Sequence, residues 1–292
     1  MSFKHVAVAV RHLQGHWPTA QLVRHAQRIS FWMASGGEDL DLIDPTHLSF
    51  RKVSGRAVVS PALFSANQAT AVILAIGQSN IANECDPCAR RKPEGEVFNF
   101  NFFDGRCYEA CDPLLGASLD RSNVLTRVGE LLVKRGRYRR ILLVPIAHGG
   151  TFAREWAPGG RMFPRLEWTL KQLRERNIAI THIAWQQGES EAAEPDPKPL
   201  EWIDRLRAMI DAIRVTGVDA LIYVAQCTIC RSDPSEQIRA AQRQLVDPSA
   251  GILPGPDLDL IGLDERYDGC HFSGVGLDRA AAMWCDALCP AS

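Results

Sequence analysis

The sequence predicts an α/β fold built on a mainly parallel sheet, and three observations carry that expectation. Short apolar runs rich in branched residues alternate with amphipathic stretches of helical period along the 292 residues, the pattern of strands joined by crossover helices. The runs are continuously apolar, as strands covered on both faces are. The four clearest of them lead into polar or glycine-rich sequence, which is where open α/β sheets bind ligands. Composition agrees: 46% hydrophobic and 23% charged residues are enough for a packed core and argue against wholesale disorder.

Taken in order, residues 6–10 read as a strand, 19–35 as a helix stopped by Gly36-Gly37, and 50–59 as a hairpin. Residues 1–70 are therefore expected to form an N-terminal extension, packed on or extending a main domain at 71–292. That domain opens with a strand at 72–76. Residues 83–113 form a long insertion with weak periodicity and four cysteines, and loops of this length are usually functional or disordered. Ser122 is placed to cap a helix running to Lys134, with Gly136 just past its end. A strand at 141–146, an amphipathic helix at 166–176 and a strand at 178–185 follow. Residues 201–215 put Ile203, Leu206, Met209, Ile210 and Ile213 on one helical face, and Gly217 ends that helix. After a strand at 221–225, Asp233-Pro234-Ser235-Glu236 reads as an N-cap, an N1 proline and a capping-box glutamate opening a helix to Leu245. A last helix spans 276–288.

Charge and hydropathy exclude some classes. Thirty-three Lys and Arg balance 34 Asp and Glu, for a net charge of −1. With no basic excess to hold a phosphate backbone, no nucleic-acid partner is expected. No apolar run approaches the ~18 residues of a membrane helix, so no membrane partner is expected. Residues 1–10 lack a signal-peptide core and cleavage site, making the cytoplasm the default location. The nine cysteines keep an exported, disulfide-containing form open.

Four segments carry chemistry. The first is Gly77-Gln78-Ser79-Asn80 at the end of a strand. There the Ser79 hydroxyl stands at the ligand crevice, and the N–H groups of the turn point toward developing negative charge. Alone, the same segment also reads as a serine N-cap. The second is His148-Gly149-Gly150-Thr151, where glycines allow close backbone approach and an oxyanion-binding N–H. Read in isolation it is a plain glycine turn, with His148 packing the loop. The third is Trp185-Gln186-Gln187-Gly188-Glu189-Ser190-Glu191. Here Gln187 has an amide to offer an oxyanion and Glu189 a carboxylate to orient its neighbours; a surface loop is the rival reading. The fourth is Asp268-Gly269-Cys270-His271-Phe272. Two residues separate Asp268 from His271, so one tight loop can present a carboxylate that holds the imidazole and an imidazole that deprotonates Ser79. The rival there is a capping aspartate beside a surface histidine.

Together and in this order, the four segments resemble the SGNH (GDSL-like) hydrolase superfamily. Within it they resemble carbohydrate esterases of the sialate O-acetylesterase and acetylxylan esterase type. The matching motifs are Gly77–Asn80, Gly149–Thr151 with Trp156, Trp185–Ser190 and Asp268–Phe272, within residues 71–288. The resemblance implies a three-layer, flavodoxin-like fold with about five parallel strands and helices on both faces. It also implies hydrolysis of acetyl or other short acyl esters, without metal or other cofactor, on a small-molecule or oligosaccharide substrate. By position Ser79 is the nucleophile, His271 the general base and Asp268 its orienting acid. The oxyanion hole falls to Ser79, Gly149 or Gly150, and Gln187, while Gln78, Asn80, Trp156 and Glu189 are expected to contact substrate. Two departures are Glu191, where the family often has Asp, and Gln186, where an aromatic residue or His is common. The mixed region of Asn80, Arg90, Arg91, Asn99, Asn101 and Phe102 leans toward a sugar. A lipase-like or general acyl-esterase is the rival enzyme, and a non-catalytic sugar-binding module the rival of another class. The oligomeric state has no signal in the sequence.

The cysteines keep several readings. Cys85, Cys88, Cys107 and Cys111 suit two local disulfides, with a zinc knuckle or free thiols as alternatives. Cys270 is placed to pair with Cys227 or Cys230, fastening the Asp268–His271 loop to the sheet. Cys285 and Cys289, four apart on a helix, are expected simply to pack.

Overall fold

The computed structural model describes residues 55–64 and 69–289, all within a compact unit, Pro45–Ser292. The strand expected at 6–10 and the helix at 19–35 lie outside the described residues. The strands are β1 (Val58–Val59), β2 (Thr70–Gly77), β3 (Glu96–Asn101), β4 (Arg106–Glu109), β5 (Arg140–Pro145), β6 (His182–Gln186), β7 (Leu221–Gln226) and β8 (Ile252–Asp257). The α-helices are α1 (Val124–Lys134), α2 (Ala153–Trp156), α3 (Phe163–Glu175), α4 (Glu189–Ala192), α5 (Pro199–Val215), α6 (Glu236–Leu245) and α7 (Gly274–Leu288).

The strands form one sheet in the order β1-β4-β3-β5-β2-β6-β7-β8. From β3 to β8 the neighbours run parallel, while β4 and β1 are added antiparallel at one edge. The expected α/β sheet is therefore present, with six parallel strands in place of about five. β2 lies in the middle, between β5 and β6, at the point where the chain turns from building one half of the sheet to building the other. Crevices form at such points beyond the carboxyl ends of the strands. All eight β2 residues are buried. Ala71, Ile73 and Ala75 share a core cluster with Val124, Val128, Leu277 and Trp284 of α1 and α7. The alternate residues Val72, Leu74 and Ile76 point to the opposite face and are equally buried, so helices cover both faces. The predicted apolar face of α5 is buried as expected, and Gly217 takes a positive φ just past its end.

The differences from expectation have local causes. Residues 83–113 hold β3 and β4, a hairpin continuing the sheet, and are not a free insertion. Their alternation is masked because Asn99 faces inward and its side chain bonds both the N–H and the C=O of Leu115. Val58–Val59 pairs with β4, so the expected hairpin within 50–59 does not form in its described part. β8 contains Pro254 and Pro256, which remove ladder donors; it is tolerated as an edge strand and gives no apolar run to read. Helix α1 is capped by Asn123, whose side chain accepts from Leu125 N–H, because the Ser122 hydroxyl is committed to Asp86 O. Helix α6 begins at Ser235–Glu236 without a side-chain cap, leaving Asp233 and Pro234 in the loop before it. Among Cys85, Cys88, Cys107 and Cys111 no disulfide forms, and all four are free thiols. No group of three or more His, Cys, Asp or Glu among the described residues is placed to hold a metal ion.

Candidate active site

The parallel strands carry the four chemistry-bearing segments to one edge of the sheet. The turn after β2 holds Ser79, the first residue of a short 3-10 turn, Ser79–Ile81. Gly77 lets it lie close to β6: its φ is +139°, and a Cβ there would stand 2.0 Å from Gln186 O. The loop after β5 is tied to the same place, with His148 N–H donating to Gly77 O at 3.0 Å and the Thr151 hydroxyl donating to Gly77 O at 3.3 Å. The loop after β6 joins through Ser190 N–H, which donates to Gln78 Oε1 at 3.2 Å.

The fourth loop brings Asp268 and His271 together. His271 Nδ1 stands 2.8 Å from Asp268 Oδ2, and Asp268 Oδ1 accepts from His271 N–H at 2.8 Å and Cys270 N–H at 3.0 Å. Burial pushes the Asp268 carboxyl up, but the N–H of His271, its imidazole and the N–H of Cys270 outweigh it and hold the group below the usual carboxylate range. The pair is thus an ionised carboxylate fixing one ring nitrogen, with Nε2 directed elsewhere.

Asn80 connects this pair to Ser79. Its amide donates to Cys270 O at 3.2 Å and its carbonyl accepts from Phe272 N–H at 3.2 Å, so it grips the residues on either side of His271. The same amide donates to Glu189 Oε1 at 3.0 Å. No direct hydrogen bond joins the Ser79 hydroxyl to the imidazole among the described residues; such bonds are often long in free enzymes and tighten with substrate. Arg266 adds a second clamp that sequence reasoning missed. Its guanidinium, almost wholly buried, donates to Cys270 O at 2.6 Å and also to Ile261 O and Leu258 O. Its only sequence signal is its place two residues before Asp268. The Cys230–Cys270 disulfide, one of the two pairings expected, fastens the loop to the segment after β7.

The residues expected to meet substrate lie on the inner side of the site. Gln78, Asn80, Trp156 and Glu189 are each at most 4% exposed, as Ser79 itself is. Asn80 and Trp156 spend their polar atoms within the protein, the Trp156 indole donating to the Thr151 hydroxyl, whereas Gln78 accepts from Gln187 and Ser190 through Oε1 and its Nε2 donates to no described residue. They build the floor and walls. Gln187, expected in the oxyanion hole, is fully buried; its amide donates to Glu191, Thr151 O and Gln78, and its carbonyl accepts from the Trp202 indole. Both amide hydrogens are thereby committed within the protein. Asn99, Asn101 and Phe102 are buried as well, and Arg91 pairs with Glu130, so that stretch offers a sugar little beyond Arg90. Gly149 N–H is bonded to Ser118 Oγ at 2.9 Å, whereas the N–H groups of Ser79 and Gly150 donate to no other described residue.

Burial pushes the Glu189 carboxyl up to about 7, and among the described residues its Oε2 makes no hydrogen bond of normal geometry. Glu191 is also raised to about 7, again by burial. A carboxyl whose pKa rises on folding holds its proton longer in the native chain, so its contribution to stability falls as pH climbs from about 4.5 to 7 and is constant above. Glu189→Gln keeps the acceptor for Asn80 and cannot ionise. Relative to the native chain it is expected to gain stability across that interval, by at most about 3 kcal/mol. Urea unfolding of both proteins at pH 5 and pH 8 checks this, and an equal difference at the two pH values would refute it.

Comparison with known proteins places the chain. No curated protein matches it in sequence. Among solved structures, it resembles a protein from Arabidopsis thaliana at 18% identity and a TM-score of 0.61, over 76% of this chain and 98% of that one. A carbohydrate acetylesterase from Xanthomonas citri is similar at 13% identity and a TM-score of 0.51, over 74% of this chain and 55% of that one. NanS is similar at 14% identity and a TM-score of 0.50, over 79% and 96%. At these identities the likeness is one of fold. The sequence profile of the family described as "Carbohydrate esterase, sialic acid-specific acetylesterase" matches residues 69–289, well over half of the chain. On that match the chain belongs to this carbohydrate esterase family and is a carboxylic ester hydrolase.

Proposed function

We propose that the chain is a serine esterase that removes acetyl groups from a carbohydrate, with Ser79 as nucleophile, His271 as base and Asp268 as its orienting acid. The observation that carries this reading is the grip of Asn80 on both neighbours of His271. It couples the nucleophile turn to an imidazole already held by a carboxylate 2.8 Å away. In the first half-reaction the Ser79 oxygen bonds to the ester carbonyl carbon while its proton passes to His271 Nε2. The tetrahedral intermediate collapses, the C–O bond to the sugar breaks, and the sugar oxygen takes that proton. Water then attacks the acetyl-serine with the same imidazole as base, releasing acetate and restoring the Ser79 hydroxyl. The two uncommitted N–H groups, of Ser79 and Gly150, are the oxyanion donors in this reading. Asp268 keeps its proton off, stays anionic and stabilises the imidazolium.

A carbohydrate substrate is supported by the family and by the rim. Tyr267 is 38% exposed and stacks beside His271, with centroids 6.1 Å apart, and the Arg121 guanidinium lies over its ring, so an aromatic ring and a cation stand together at the rim beside the base. The carbohydrate acetylesterase from Xanthomonas citri shares the fold, which supports acetyl as the acyl group. Acetate release from acetylated xylan fragments and O-acetylated sialic acids, beside hydrolysis of aryl acetate and aryl octanoate, tests the reading. Acetate is expected from at least one sugar class, and aryl acetate is expected to turn over faster than octanoate. Faster octanoate hydrolysis would favour a lipase-like enzyme, and no turnover of any ester would overturn the esterase reading.

A further inference from the structure

The Gly149–Gly150 peptide is held by a relay that begins at Glu84, five residues past Ser79. The Ser118 hydroxyl donates to Glu84 Oε1 at 2.6 Å and accepts from Gly149 N–H at 2.9 Å. With its proton directed at the carboxylate, the Ser118 oxygen presents a lone pair to Gly149. The carboxylate also fills the space beside the Gly149 Cα, where a Cβ would stand 2.1 Å from Glu84 Oε1. On the far side of the same residue, His148 Nδ1 lies 3.0 Å from Gly149 O and donates to it in the Nδ1-protonated tautomer. The Gly149–Gly150 peptide is trans, so its N–H points opposite to that C=O. Gly150 is exposed, at φ +68°, with open space where a side chain would be. Every polar group of Gly149 is thus tied down, and the free N–H of Gly150 is aimed by those ties.

We propose that Glu84 and Ser118 are positioning residues for the oxyanion hole, acting through Gly149 to fix the direction of the Gly150 N–H. This rests on the serine-esterase reading above. Neither residue touches the reacting atoms. Their effect is confined to the transition state, where charge develops on the carbonyl oxygen and a misdirected donor is felt most. Glu84→Ala removes the acceptor that orients the Ser118 hydroxyl, Ser118→Ala removes the acceptor of Gly149 N–H, and Glu84→Gln retains an oxygen acceptor.

The test is steady-state hydrolysis of p-nitrophenyl acetate by the native chain, these three variants and the Glu84→Ala/Ser118→Ala double variant, with Ser118→Thr as a variant that keeps the hydroxyl and thermal unfolding of each. Glu84→Ala and Ser118→Ala are expected to lower kcat about 10- to 100-fold with KM within about twofold of native. Glu84→Gln and Ser118→Thr should stay near native, and the double variant should lose no more than the worse single, because both act through one hydrogen-bonded chain. Native-like kcat in both alanine variants, or a fall that multiplies in the double variant, would overturn the relay while leaving the esterase reading intact. So would losses that follow the melting temperature alone. Absence of turnover by the native chain would overturn the esterase reading and the relay with it.

Discussion

Ser79→Ala is expected to lower ester hydrolysis by about 10⁴-fold or more, the cost of removing a nucleophile that works as a unit with its base. The expectation follows from place as much as residue type. Ser79 opens a 3-10 turn at the carboxyl end of the central strand β2, and its neighbour Asn80 holds the loop of the base. The Ser79 hydroxyl bonds no other described residue, so its removal should leave the melting temperature nearly unchanged. A large loss of turnover on an intact fold is the signature sought, with aryl acetate turnover and thermal unfolding measured on the same preparation. Native turnover in the variant would remove Ser79 from the reaction.

Asp268→Asn should follow closely, with a loss of about 10⁴-fold in kcat. Asparagine can still accept the N–H bonds of Cys270 and His271 through Oδ1, so the loop keeps its shape. Its amide then faces His271 Nδ1 as a donor and drives the ring to the tautomer protonated on Nε2, which cannot take the Ser79 proton. The anion that stabilised the imidazolium is lost at the same step. Steady-state kinetics, together with NMR of the ring protons, separates tautomer loss from unfolding. A variant retaining more than a tenth of native kcat would show that His271 works without this partner.

The architecture was legible where the physics is local. Continuous apolar runs reveal buried parallel strands, and the helix at Pro199–Val215 shows its buried face at helical spacing. Sequence reasoning failed where tertiary contacts overrode the local signal. β3 hides behind Asn99, an inward polar residue satisfied by the backbone of Leu115. β8 hides behind two prolines that only an edge tolerates, and Ser122 lost its capping role to a contact with Asp86. In the site, residue types and order were readable because a carboxylate three residues before an imidazole pairs within one turn. Exposure was not readable: Gln78, Asn80, Trp156 and Glu189 were expected to contact substrate, and Gln187 to donate to the oxyanion, because each is polar or aromatic in a segment that follows a strand. Only the folded packing shows that the hydrogen bonds of Asn80, Trp156 and Gln187 face inward. Arg266 and Ser118 went unnoticed because their side chains bond backbone atoms, and Glu84 because its carboxylate bonds Ser118, far away in sequence; neither kind of contact leaves a spacing to detect.

Asn80 has a consequence for engineering. One side chain belonging to the nucleophile turn holds the loop of the base and, through Glu189, the loop after β6. A specificity segment transplanted from a homologue into any one of these three stretches would arrive without its partners in the other two. Chimeras should retain function only when the three stretches travel together as a single cassette.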